Sequence, residues 1–89
     1  MFVIEDESHA EPQGEFASLD AALDELRRRA TLDWDEAPNQ APCMSWQTCG
    51  RRYEVVEYDD SANPWVEVRR LPVLKISSAG PEWLFALRT

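Results

Sequence analysis

The chain has 89 residues, of which 44% are hydrophobic, and it carries a formal net charge of −8 at pH 7. A chain this short can build only one core, because it buries only roughly 60% of its unfolded surface on folding, and we predict a single domain over residues 1–89. The negative charge argues against direct binding to nucleic acid or to an anionic membrane, since both present phosphate. It favours another protein, in particular a basic one, as the partner.

The N-terminal sequence bears on location. Residues 1–4 are apolar and are followed at once by the acids of residues 5–7, so the chain shows neither a basic leader nor a run of about 20 apolar residues that could span a membrane. We therefore expect a cytoplasmic protein with no membrane segment. In a reducing compartment Cys43 and Cys49 are expected to be free thiols, although a disulfide or a shared metal stays an alternative.

The first 30 residues predict a strand and then an amphipathic helix. Residues 2–4 are aromatic and β-branched, which favours a strand, whereas residues 5–17 are polar and contain Pro12 and Gly14, which indicates a connection. Ser18 occupies the position of a helix N-cap. The apolar residues that follow recur at helical spacing and define one buried face: Leu19, Ala22, Leu23, Leu26 and Ala30.

The charged residues of this segment support the helix. Acids lie near its start and arginines near its end, which matches the helix dipole. Asp24 with Arg28 and Glu25 with Arg29 are spaced as i,i+4 ion pairs. We expect these four side chains to lie on a solvated outer face.

Residues 32–50 contain two prolines, two tryptophans and two cysteines but no regular period. Disorder would leave these apolar side chains in water, so we predict a long ordered loop over one end of the core. Tryptophan and arginine are favoured in protein interfaces, although the two tryptophans could instead close the core. The candidate interaction surface comprises Trp34, Asp35, Asn39, Cys43, Trp46, Gln47, Cys49, Arg51 and Arg52.

The C-terminal half predicts further strands at residues 51–58, 65–70, 73–77 and 82–87. Val66 and Val68 alternate with polar residues as in a half-buried strand, and Pro72 marks a strand end, a bulge or an edge. Gly50 is expected to permit a bulge or a positive φ. The predicted fold class is α+β, with one amphipathic helix packed on a mainly antiparallel sheet of about four to five strands, in the order β-α-β-β-β with or without a last strand.

The sequence contains no motif for catalysis or for a cofactor. His9, the only histidine, is distant in sequence from both cysteines, and Cys43 and Cys49 lack the close spacing of zinc ligands. Three isolated glycines cannot form a phosphate-binding loop. We therefore assign no catalytic, cofactor-binding or metal-binding residue and expect no cofactor.

Composition and pattern together favour a small acidic protein-interaction or regulatory domain without catalysis. Its affinity for a basic partner should fall as the salt concentration rises. Two alternatives stay open. One is a homo-oligomeric structural subunit that pairs through a sheet edge or through the tryptophan-containing loop, and the other is a small-ligand-binding protein or enzyme that uses residues 32–52.

Overall fold

The computed structural model describes residues 1–41 and 50–84. Its elements are β1 (Phe2–Asp6), β2 (Glu11–Phe16), α1 (Leu19–Arg29), β3 (Gly50–Asp59), β4 (Val66–Ser77) and β5 (Gly80–Trp83). The five strands form one antiparallel sheet in the order β2-β1-β3-β4-β5, and α1 packs mainly against β1, β2 and β3. The predicted α+β class, with one helix on an antiparallel sheet, is confirmed.

A layer of apolar side chains between α1 and the sheet forms the core. The helix begins after Ser18, whose Oγ accepts a hydrogen bond from the backbone N–H of Ala21 at 3.1 Å, so the predicted N-cap is confirmed. The buried cluster consists of Ile4, Ala22, Leu23, Leu26, Tyr53, Val55, Val73, Leu74 and Ile76. No helix in residues 1–41 or 50–84 has the length and apolarity needed to cross a membrane.

Strand β2 lies in the segment predicted to be a polar connection. It forms a hairpin with β1, in which Phe2 faces Phe16, and it places β1 between β2 and β3. The sequence of β2 has no β-branched residue, and Gly14 adopts a positive φ of 141°. An edge strand tolerates proline and glycine because one of its sides needs no partner, which explains why the usual strand pattern is absent.

Strand β4 is one continuous strand of 12 residues, where the sequence predicts two. The ladder with β3 shifts register beside Pro72 and again beside Val68. At each shift one residue of β4 has no partner on β3, which lets the strand continue. Val66 and Val68, predicted to be half-buried, are 55% and 57% exposed. The prediction is wrong there because α1 covers mainly the other half of the sheet.

Gly50 is required by a close approach between strands. A Cβ atom at this position would lie 2.1 Å from the backbone oxygen of Ile76 on β4. The prediction of a positive φ is wrong for Gly50, because the glycines with positive φ in the described residues are Gly14 and Gly80. Gly50 instead lets β3 begin in contact with β4.

The ion pairs of α1 differ in part from those predicted. Glu25 bonds Arg29 at 2.6 Å as expected, but Arg28 also bonds Glu25, at 2.8 Å, and Asp24 pairs with Arg27 instead. Arg29, expected on the solvated face, is only 5% exposed. Its guanidinium turns towards β2 and donates to the backbone oxygen of Gln13 at 3.2 Å.

The shared pairing of Glu25 gives a testable pH dependence. The pKa of Glu25 is lowered from 4.5 to about 2. The hydrogen bond from Arg28 is the largest cause, Arg29 lowers the pKa further, and partial desolvation opposes both. A carboxyl whose pKa is lowered on folding stabilises the native state above its unfolded pKa. We therefore expect Glu25→Gln to lower the free energy of unfolding at neutral pH. This difference from the wild type should disappear as the pH falls from 4.5 to about 2.

Urea unfolding of the wild type and of Glu25→Gln across this pH range measures the difference, which should stay below about 1 kcal/mol because the pair is partly solvated. Asp24→Asn is the matched control, since among the described residues Asp24 pairs with Arg27 alone and its side chain is 73% exposed. A stability difference for Glu25→Gln that does not change with pH would contradict the assignment.

Candidate functional site

A buried carboxylate lies where β1 ends beside the start of β3. Asp6 is 0% exposed, and its Oδ1 accepts hydrogen bonds from the backbone N–H groups of Ser8 and Arg52, each at 3.1 Å. Its Oδ2 accepts one from Nη1 of Arg51 at 2.9 Å and lies 2.5 Å from Nδ1 of His9. Three N–H donors and the ring nitrogen of His9 thus surround this buried carboxyl group in place of water.

The Arg51 side chain joins the sheet to the loop after α1. It is buried, and its Nη2 donates to the backbone oxygen of Gln40 at 2.7 Å. Its Nη1, besides bonding Asp6, lies 3.4 Å from Oε1 of Glu11. The Nε atom has no hydrogen-bond partner in the described part of the chain. Arg51 therefore neutralises the buried Asp6 and holds residue 40 in place.

Asn39 fixes the same loop from inside. The side chain is 0% exposed, and its Nδ2 donates to the backbone oxygen atoms of Arg29 at 2.8 Å and Asp33 at 3.2 Å, with a longer contact to that of Leu32 at 3.4 Å. Its Oδ1 accepts a hydrogen bond from the Tyr53 hydroxyl at 3.1 Å. One amide thereby fastens the end of α1 and the following loop to β3.

Tyr53 completes this arrangement. Its ring lies beneath the guanidinium of Arg29, 5.1 Å from the ring centroid, a distance at which a cation and an aromatic face attract. Burial raises the pKa of the Tyr53 hydroxyl, so this group stays protonated as a donor to Asn39. The helix end, the loop and β3 are thus held together by polar groups as well as by the core.

Three acids project from the loop that Asn39 holds. We call Asp33, Asp35 and Glu36 the acidic loop; all three are exposed, and none has a cation within ion-pair distance among residues 1–41 and 50–84. Trp34, which lies between two of them, is half-buried and packs against the core. The loop backbone is therefore anchored while its charges face solvent.

The distribution of ion pairs explains why the acids of the acidic loop have no cation partner among the described residues. Each arginine of the described residues pairs with a carboxylate, and nine of the 17 acids take part. The eight remaining acids are Glu15, Asp20, Asp33, Asp35, Glu36, Asp59, Asp60 and Glu82. The acidic loop holds three of these eight within four consecutive residues, which makes it the largest group among them.

The structure places the predicted interaction residues in different environments. Asn39 and Arg51 are buried and hold the loop, Trp34 packs inward, and Asp35 is exposed. Arg52 is partly exposed and donates to Glu7 at 2.5 Å. Cys43, Trp46, Gln47 and Cys49 lie outside the described residues.

The interaction surface predicted from the sequence leaves out four residues that the structure makes important: Asp6, Asp33, Glu36 and Tyr53. Asp33 and Glu36 carried a signal, since they flank Asp35 in a run of acids without a nearby base. Asp6 and Tyr53 carried none, because Arg51 and Arg52, which bond Asp6, and Asn39, which bonds Tyr53, are distant from them in sequence.

The described residues offer no preformed metal site, since no group of three His, Asp or Glu side chains converges within residues 1–41 and 50–84. No known protein family, curated protein sequence or solved structure matches this chain. The chemistry of the acidic loop is therefore the basis for a functional proposal.

Proposed function

We propose that this chain is a small protein-interaction domain without catalysis, which binds a basic segment of another protein through the acidic loop. One observation carries the proposal: Asp33, Asp35 and Glu36 are exposed and have no cation partner among residues 1–41 and 50–84, on a loop whose backbone is fixed by the buried Asn39. A location in the cytoplasm, where such a partner would be met, is part of the same proposal.

The rigidity of the loop matters for affinity as much as its charge. A loop that is already ordered loses less conformational entropy when it binds than a flexible one does. Carboxylates held at fixed positions also favour a partner whose lysines or arginines match their spacing, which provides specificity and a fast association rate. These two properties distinguish a recognition surface from charges that only increase solubility.

A synthetic lysine-rich peptide is a suitable probe. We expect its addition to the isotope-labelled protein at low salt to shift the amide resonances of residues 33–36 more than those elsewhere. The combined variant Asp33→Asn, Asp35→Asn and Glu36→Gln should weaken binding by at least about threefold and up to about a hundredfold, because each charge pair lost at an exposed site contributes about 0.2–1 kcal/mol. Added salt should weaken binding to the wild type.

A matched control removes the same number of charges at other places. Glu15, Asp60 and Glu82 are exposed and have no ion-pair partner in the described residues, so the combined variant Glu15→Gln, Asp60→Asn and Glu82→Gln has the same net charge as the loop variant. It should retain most of the affinity. Equal losses in the two variants would show that only net charge matters and would refute a site at the acidic loop.

A second candidate function, a homo-oligomeric subunit, is favoured by a different observation. The exposed valines of β4 lie on a stretch of strand that has a neighbour on one side only among the described residues. This surface is separate from the acidic loop, because the loop is tied to residues 51–53 of β3 whereas this part of β4 pairs with residues 55–59.

A further inference from the structure

The side chain of Arg51 bonds the loop after α1 and the end of β1 at the same time. Its Nη2 donates to the backbone oxygen of Gln40 at 2.7 Å, and its Nη1 donates to Oδ2 of Asp6 at 2.9 Å. A guanidinium is planar and presents its donors in a fixed fork, so the bond to Asp6 sets the direction of the bond to Gln40. The position of residue 40 therefore depends on an acid of β1.

Backbone hydrogen bonds extend this constraint from residue 40 to the acidic loop. The N–H groups of Asn39 and Gln40 both donate to the backbone oxygen of Glu36, at 2.7 and 3.1 Å. The N–H of Glu36 in turn donates to the oxygen of Asp33 at 3.2 Å. The Asn39 side chain bonds backbone oxygen atoms at the start of the loop, including that of Asp33, whereas Arg51 acts at its end.

We propose that Arg51 is a positioning residue for the acidic loop: oriented by Asp6, it fixes the loop backbone and so gives the three carboxylates defined positions for a basic partner. Arg51 is only 6% exposed, so it acts through the loop backbone and not by contact with the partner. The consequence for binding rests on the proposed function. The effect on the loop backbone needs no partner and can be measured by itself.

The turn between β1 and β2, residues 7–10, is attached to the same buried ion pair. Oδ1 of Asp6 accepts hydrogen bonds from the backbone N–H groups of Ser8 and Arg52, each at 3.1 Å, while its Oδ2 bonds Arg51. Groups that share one hydrogen-bond network are energetically coupled. A change at Asp6 is therefore expected to reach the acidic loop through Arg51.

Arg51→Lys tests the role of the fork, because an ammonium group keeps the charge but cannot donate to Asp6 and Gln40 in the same two directions. We expect the amide hydrogens of Glu36, Asn39 and Gln40 to exchange at least about tenfold faster than in the wild type, the effect of losing one hydrogen bond from a charged donor. Affinity for the lysine-rich peptide should fall about threefold or more at unchanged net charge, since the peptide must then order the loop.

Arg52→Lys is the matched control, because the side chain of this neighbouring arginine pairs with Glu7 at the surface. It should change neither the exchange of the loop amides nor the affinity for the peptide. The amide hydrogens of Ala22 and Leu26 within α1 report on the stability of the whole fold. Exchange that accelerates in α1 as much as in the loop would overturn the proposal, because Arg51 would then contribute to overall stability alone.

Asp6→Asn provides a second variant, and Glu7→Gln is its control because it removes the same charge at an exposed position. Since Asp6 acts through Arg51, Asp6→Asn should accelerate exchange in the loop, and combining it with Arg51→Lys should add little. Additive effects, or normal loop exchange in Arg51→Lys, would contradict the proposal. Faster loop exchange in Arg51→Lys, together with a wild type that does not bind the peptide, would refute the proposed function and leave the positioning role of Arg51 intact.

Discussion

Replacing Asp6 with alanine should lower the free energy of unfolding by about 3–5 kcal/mol, the usual cost of leaving one member of a buried ion pair without the other. Asp6 is 0% exposed and Arg51 is 6% exposed, so water cannot solvate the guanidinium that the variant leaves behind. The backbone N–H groups of Ser8 and Arg52 also lose their acceptor. Urea unfolding at neutral pH, followed by circular dichroism, measures the loss.

The adjacent acid provides the control. Glu7 pairs with Arg52 at the surface, with side chains 51% and 39% exposed, and Glu7→Ala should cost no more than about 1 kcal/mol. The double variant Asp6→Leu with Arg51→Met should recover part of the stability lost in Asp6→Ala, because apolar side chains of similar volume do not need the missing charges. A loss below about 1 kcal/mol for Asp6→Ala would show that water reaches the guanidinium.

The helix could be predicted from the sequence because its determinants are local. The N-cap at Ser18 and the apolar spacing from Leu19 to Ala30 each act within a few residues, and the structure places α1 at Leu19–Arg29 with Ser18 as its cap. The environment of Arg29 could not be predicted in this way. Its burial depends on Gln13 and Tyr53, which are distant in sequence and reach it only through the fold.

The strands show the same limit. The central strand β3 has a clear pattern, since it pairs on both sides and is covered by α1 on one face. The edge strand β2 needs no such pattern, and its Pro12 and Gly14 resemble a connection. In β4 two register shifts let one strand continue past Pro72, and no rule of alternation anticipates them.

The candidate site was only partly visible in the sequence. Composition indicated an acidic surface and an ordered loop after α1, and the described part of that loop is ordered by hydrogen bonds. The residues that order it were assigned to the interaction surface instead, because an asparagine and an arginine in a loop usually face solvent. Asn39 and Arg51 are buried because the backbone oxygen of Arg29 and the carboxylate of Asp6, which they bond, are buried with them.

Replacing Asn39 with alanine should lower both the free energy of unfolding and the affinity for a basic peptide. Asn39→Ala removes the donor to the backbone oxygen atoms of Arg29 and Asp33 and the acceptor for the Tyr53 hydroxyl. Each buried polar group left without a partner costs about 1–3 kcal/mol, and we expect a total loss of about 2–4 kcal/mol in the free energy of unfolding. Urea unfolding measures this loss.

Because the Asn39→Ala protein keeps all of its charges, its affinity for the lysine-rich peptide isolates the effect of loop order. We expect weaker binding under conditions where the variant is still folded, since the acidic loop must then be ordered by the peptide. Asn63→Ala is the control, because Asn63 is exposed and its replacement should change stability by no more than about 0.5 kcal/mol. Destabilisation with unchanged affinity would mean that the charges alone, and not their fixed arrangement, account for recognition.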